Sequence, residues 1–228
     1  MSKQEELIKL AKTRQTNRWD GYKCIGDYHG GAYECLFVSP YTKSANNVDA
    51  RVMIMLQDWS SDSSLSRHLD NYSAAIGHTP HLATNKNLKR LLSETCDLTL
   101  GETYGTNLFP FVKLGGMSAK IPGSDLVRAA REFGIPQIKI VSPCLVICLG
   151  LATFNAIREA HGLTRLATLS LALGSTFNIG ASAIWCQAHT GALGQNTRNR
   201  GDRQRVSSDW LQMKQAVPVG WADSLPTR

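Results

Sequence analysis

Arg51-Val-Met-Ile-Met-Leu56 is a compact apolar run that stops abruptly at Gln57-Asp58-Trp59-Ser60-Ser61. The unbroken apolar stretch from Val52 to Leu56 suits a strand buried on both sides of a parallel sheet and opening into a polar loop. Three later segments read the same way. They are Thr103 to Phe111 (TYGTNLFPF, interrupted by Pro110), Cys144 to Leu149, and Ala183-Ile-Trp-Cys-Gln-Ala188, which ends in His189-Thr190-Gly191.

Helical patterns fill the intervals. Residues 3–14 put Leu7, Leu10 and Ala11 on one face. Thr84 is placed to cap a helix through about Cys96, with Leu88, Leu91 and Leu92 inward. Ser124 caps a helix carrying Leu126, Val127 and Ala130, which Gly134 and Pro136 are expected to stop. Gly150 leads into a helix with Ala152, Ala156, Ile157 and Ala160, closed by His161-Gly162. A last helix from Ser207 or Ser208 is expected to bury Trp210, Leu211 and Val217. The stretch from Trp19 to Val48 is turn-rich and predicts no particular fold.

Strands alternating with helices predict an α/β fold: one domain with a central four-stranded parallel sheet and helices on both faces. Such sheets bind ligands beyond the carboxyl ends of their strands. The polar residues expected there are Gln57 and Asp58, Asn107, and His189, so distant parts of the chain should converge on one rim.

Composition narrows the class. Of the 228 residues, 43% are hydrophobic and 19% charged, enough to bury a core and unlike a disordered chain. The net charge of +7 suits a polyanionic partner better than a membrane. No apolar run approaches the roughly 20 residues of a membrane span. MSKQEELIKLAKTRQ mixes charge signs and does not read as a signal peptide, so a cytoplasmic protein is expected, nucleoid-associated if bacterial. The six cysteines include no CxxC pair. Cys144 and Cys148, about 13 Å apart along a strand, cannot form a disulfide, so reduced thiols and no metal site are expected. No GxGxxG follows a strand, no GxxxxGK precedes Ser or Thr, and no GxSxG elbow is present. One carboxylate, one amide and one imidazole at strand ends, with an arginine-rich run downstream, suit chemistry on a nucleobase or sugar.

Four segments, in order, resemble the uracil-DNA glycosylase superfamily. Leu56-Gln57-Asp58-Trp59 is similar to its first motif, GQDPYH. Gly105-Thr106-Asn107-Leu108 resembles its TN and NL segments, and Pro143 to Ala152 resembles K-P-x-V-I-V-x-L-G-x-x-A. His189-Thr-Gly-Ala-Leu193 resembles HPSPLS, and Arg203 to Gln212 loosely resembles the closing W-x-D-L-Q helix. The likeness spans about residues 51–217.

The resemblance implies a monofunctional glycosylase that flips uracil or a related deaminated base from DNA and excises it with water. It implies a monomer with no cofactor and no metal. Asp58 is then expected to stabilise the cationic sugar and orient the water. His189, with backbone N–H groups near Gln57, is expected to hydrogen-bond the departing base. Asn107 is expected to read the N3–H and O4 edge, which cytosine reverses. Leu193 is the expected wedge into the base stack. Trp59 and His81 are candidates to contact the base, with Tyr72 and Phe109 also considered for stacking. Thr190, Arg198 and Arg200 are candidates to contact DNA; the run from Gln195 to Arg205 carries +3.

The departures are specific. Ser60 stands where the motif has the Tyr that blocks a thymine methyl, and the motif's closing His is missing. Thr190-Gly191 replaces Pro-Ser after the histidine, and the cluster-binding CxxC of the thermophilic branch is absent. No Lys lies in the matched motifs, which disfavours Schiff-base chemistry. Two other readings remain open: a catalytically inactive glycosylase-fold protein that binds nucleic acid or a protein partner, and an α/β hydrolase acting on free nucleosides or nucleotides.

Overall fold

A computed structural model describes residues 1–202 and 204–217. The chain is α/β, with a central mixed sheet of five strands flanked by helices. In chain order the elements begin with α1 (Lys3–Thr16), β1 (Tyr22–Lys23), β2 (Val52–Asp58), α2 (Asp62–Leu65), α3 (Asn71–Ile76) and α4 (Ala83–Cys96). They continue with β3 (Tyr104–Phe109), β4 (Val112–Lys113), α5 (Gly123–Ala129), α6 (Ile135–Val141), β5 (Leu145–Leu149) and α7 (Leu151–Ala160). The described part ends with α8 (Leu169–Leu173), β6 (Phe177–Ile179), β7 (Ser182–Gln187), α9 (Ala192–Arg198) and α10 (Arg205–Ala216).

The sheet order is β3-β2-β5-β7-β6. Neighbours β3, β2, β5 and β7 pair in parallel, and β6 pairs antiparallel with β7. The expected four-stranded all-parallel sheet is therefore corrected to a mixed sheet of five. The fifth strand, Phe177–Ile179, is three residues long and returns through a tight turn at Gly180, too short to show an apolar period.

Side-chain alternation divides the core. Met53 and Met55 of β2, with Val146 and Cys148 of β5, join the cluster that also holds residues of α1, α5, α6 and α7. Val52, Ile54 and Leu56, with Leu145, Ile147 and Leu149, face the opposite cluster, which holds Leu88, Leu91 and Leu92 of α4 and Trp210 and Met213 of α10. Each of these strands is buried on both faces, which is why the sequence shows no polar alternation there.

Four helix expectations are corrected. Ser124 does not cap α5 but lies inside it, and Pro122 holds the N-cap position. Thr84 does not cap α4; Leu82 occupies that position. Gly134 and Pro136 do not stop the third helix. A π turn over Ala130–Gly134 joins α5 to α6, and Pro136 sits in the first turn of α6, where a missing N–H is tolerated. Gly134 is needed there for space, since a Cβ would lie 2.7 Å from Leu108 Cδ1 and 2.9 Å from Ile157 Cδ1. The last helix begins at Arg205 and buries Trp210 and Val217, but Leu211 is 45% exposed.

The turn-rich segment packs over β3. Thr42 Oγ1 donates to Gly105 O at 2.7 Å and Gly105 N donates to Ala45 O at 2.8 Å. A Cβ on Gly105 would sit 2.7 Å from the Ala45 Cβ, so glycine permits this approach. Arg14 of α1 anchors the same segment from beneath. It is fully buried, pairs with Glu34 at 2.5 Å and donates to the Cys35 and Phe37 carbonyls.

Candidate functional site

The chain forms β2, then β3 on one side of it and β5 on the other, so the order reverses beside β2. Open α/β sheets place ligands in the crevice at such a reversal. A cavity of about 950 Å³ opens there, and Gln57, Asp58, Trp59, Asn107 and His189 all line it. Asp58 ends β2, Asn107 lies in β3, and His189 follows β7. Register sets Leu56 beside Asn107 and Asp58 beside Phe109.

The carboxylate oxygens of Asp58 differ: Oδ1 accepts a hydrogen bond, while the buried Oδ2 has an ion-pair neighbour but no formed hydrogen bond. Gln57 Nε2 donates to Oδ1 at 3.0 Å, and Lys113 Nζ lies 2.8 Å from Oδ2. Lys113 also donates to Met117 O at 2.6 Å and lines the cavity. After β3 the chain turns at Pro110 into β4, which pairs with β1 and bridges Ser61, and this return carries the lysine back to Asp58. The side chains of Lys113 and Asp58 are 5% and 9% exposed.

Asn107 is 1% exposed. Its Oδ1 accepts from Ser39 Oγ at 2.6 Å, and Ser39 Oγ accepts from Tyr41 N at 3.1 Å. With the hydroxyl proton committed, the amide is fixed with its carbonyl toward Ser39, leaving the NH₂ as the donor for a ligand.

His189 Nδ1 accepts from Gly191 N at 2.9 Å, which puts the proton of the neutral ring on Nε2. Gln195 Nε2 holds the His189 carbonyl at 3.3 Å. Burial lowers the His189 pKa; Asp58 pulls it up and Lys113 pushes it down. The turn requires small residues: a Cβ on Gly194 would lie 2.2 Å from His189 O, and one on Gly191 2.9 Å from His189 Nδ1.

Other expected residues fall elsewhere. Trp59 lines the cavity, but its Nε1 is bound to Gly77 O at 2.8 Å and its ring meets Tyr33 edge-on. His81 and Tyr72 are exposed and outside the cavity lining. Phe109 is a core residue against Trp19, Tyr22 and Phe111. Thr190 is buried, its carbonyl held by Asn87 Nδ2 at 2.8 Å. Leu193 is 82% exposed, just beyond the His189 turn. Arg198 is bound by Asp209 through two 2.7 Å contacts, whereas Arg200 is exposed; Arg203 lies outside the described residues.

Sequence reasoning missed Lys113, Ser39 and Tyr41, and it missed His78, a buried cavity residue whose pKa is lowered by burial and by Lys89. It also missed the rim, where Arg67, His68 and Lys120 are exposed around the opening. A basic residue shortly after a Pro-broken strand was the one available signal for Lys113. Among the described residues no three His, Cys, Asp or Glu side chains cluster as metal ligands do, and no helix is long and apolar enough to cross a membrane. No protein-family model and no curated protein matches the chain.

Proposed function

We propose that the protein is a DNA glycosylase that hydrolyses the bond between deoxyribose and uracil, or a related deaminated base, after the nucleotide is flipped into this cavity. The observation that carries the reading is the meeting of Asp58, Asn107 and the Nε2–H of His189 in one crevice.

Bond cleavage builds positive charge on the sugar and negative charge on the leaving base. Asp58, fixed by Gln57 and Lys113, offers its carboxylate to the cation and to the attacking water. A neutral Nε2–H donor at His189 strengthens its bond as the base oxygen becomes anionic, without giving up the proton. The outward NH₂ of Asn107 suits the O4 acceptor of uracil and opposes the amino group of cytosine. Leu193 fills the vacated place in the stack, and the exposed Arg67, Lys120 and Arg200 suit phosphates. The water mechanism asks nothing of a cofactor or metal.

Strand scission after alkali tests this on single- and double-stranded oligonucleotides carrying uracil, hypoxanthine, xanthine or T:G pairs, with EDTA present. Cleavage at a deaminated base is expected; intact strands throughout refute the activity. A second reading has its own support: the Lys113 ion pair neutralises Asp58, as suits a glycosylase-fold protein that binds nucleic acid without turnover. That version predicts DNA binding that survives Asp58→Asn and no base release by either form.

A further inference from the structure

We propose that Lys113 forms a covalent imine with the abasic sugar that base removal leaves behind. The inference rests on the glycosylase reading for its substrate, a DNA abasic site, but on different atoms for its chemistry.

The Lys113 amine is buried at the cavity wall, donating to the Met117 carbonyl at 2.6 Å and lying 2.8 Å from Asp58 Oδ2, a buried oxygen with no hydrogen bond formed. A buried lysine beside a carboxylate has both a nucleophile and a proton acceptor in place. The carboxylate that faces C1′ during hydrolysis is the one that touches the amine, so C1′ and Nζ share a neighbour. Once the base has gone, C1′ of the ring-opened sugar is an aldehyde.

The ammonium passes one proton to Asp58, and the freed nitrogen lone pair adds to C1′. The carbonyl electrons move to oxygen, which takes a proton from the nitrogen to give a carbinolamine. Asp58 returns its proton to that hydroxyl, which departs as water while the nitrogen lone pair closes the C1′=Nζ bond. Ammonium and aldehyde thus become a protonated imine and one water, Asp58 ends as the carboxylate it began as, and no oxidant or reductant is consumed. Holding the aldehyde this way keeps the reactive abasic sugar of an unbroken strand from solvent until it is handed on.

The test uses the full chain with an oligonucleotide carrying a preformed abasic site, and cyanoborohydride to reduce any imine to a stable amine. The expected result is a one-to-one adduct that proteolysis and mass spectrometry place on Lys113, with yield falling at least tenfold in Lys113→Arg, which keeps the charge but cannot form the imine. Mapping on the unmodified protein needs no folded variant. An adduct on the N-terminal amine or on Lys120, a yield no higher than with an unrelated lysine-rich protein, or an undiminished yield in a folded Lys113→Arg each overturns the proposal. Because the abasic site is supplied, failure here is distinct from failure to release uracil, which is read on intact uracil-containing strands.

Discussion

Asp58 and His189 bear the proposed chemistry unequally, and substitution separates their roles. His189→Leu removes a preorganised donor and is expected to slow base release by about 10²–10³-fold, measured in single turnover. Asn107→Asp exchanges the outward NH₂ for an acceptor and is expected to weaken uracil selection against cytosine, read as the ratio of release rates from the two oligonucleotides. Asp58 and His189 were legible in the sequence because each ends or follows an apolar run, whereas Asn107, inside β3, stood out only as an amide within the TN and NL likeness. Lys113 was not: its place depends on the chain doubling back after Pro110 into a two-residue strand, a tertiary event with no local pattern. Ser39, which orients Asn107, lies in a turn-rich stretch whose path is set by Arg14 and by the glycine at 105, neither of which announces a binding wall.

At the level of elements, the site depends on two supports far from the chemistry. Gly194→Ala drives a Cβ into the His189 carbonyl, so the His turn must shift. The expected cost is about 1–3 kcal/mol by urea denaturation, with base release reduced further than stability alone accounts for. Arg14→Met leaves Glu34 without its partner in a largely buried setting. A loss of about 2–4 kcal/mol is expected, toward the lower end of what breaking a buried pair costs because Glu34 keeps 28% of its side chain in water. The parallel strands were readable because burial on both faces leaves an unbroken apolar run. The edge strand Phe177–Ile179 was too short to read, and the join between α5 and α6 was hidden because Gly134 and Pro136 normally punctuate a helix, while the π turn absorbs both.

Across the whole molecule, charge and pH have predictable consequences. The +7 net charge and the exposed Arg67 and Lys120 at the rim predict DNA affinity that falls steeply with salt, and Arg67→Ala is expected to reduce the slope of log K against log salt by about one. Burial lowers the pKa of both His189 and His78 from the ordinary 6.5. The folded chain then resists protons that the unfolded chain accepts. Stability is accordingly complete above about pH 6.5 and is lost as pH falls through the lowered folded values. The urea midpoint should drop between pH 7 and pH 5.5, and by less in His189→Gln.

The most direct test is the single-turnover release of uracil from a uracil-containing oligonucleotide by the native protein and by Asp58→Asn, with DNA affinity measured alongside. Measurable release by the native chain, slowed at least 100-fold by the substitution with affinity little changed, is the predicted result. Equal release by both forms, or none from the native chain, contradicts a carboxylate-driven excision in this crevice.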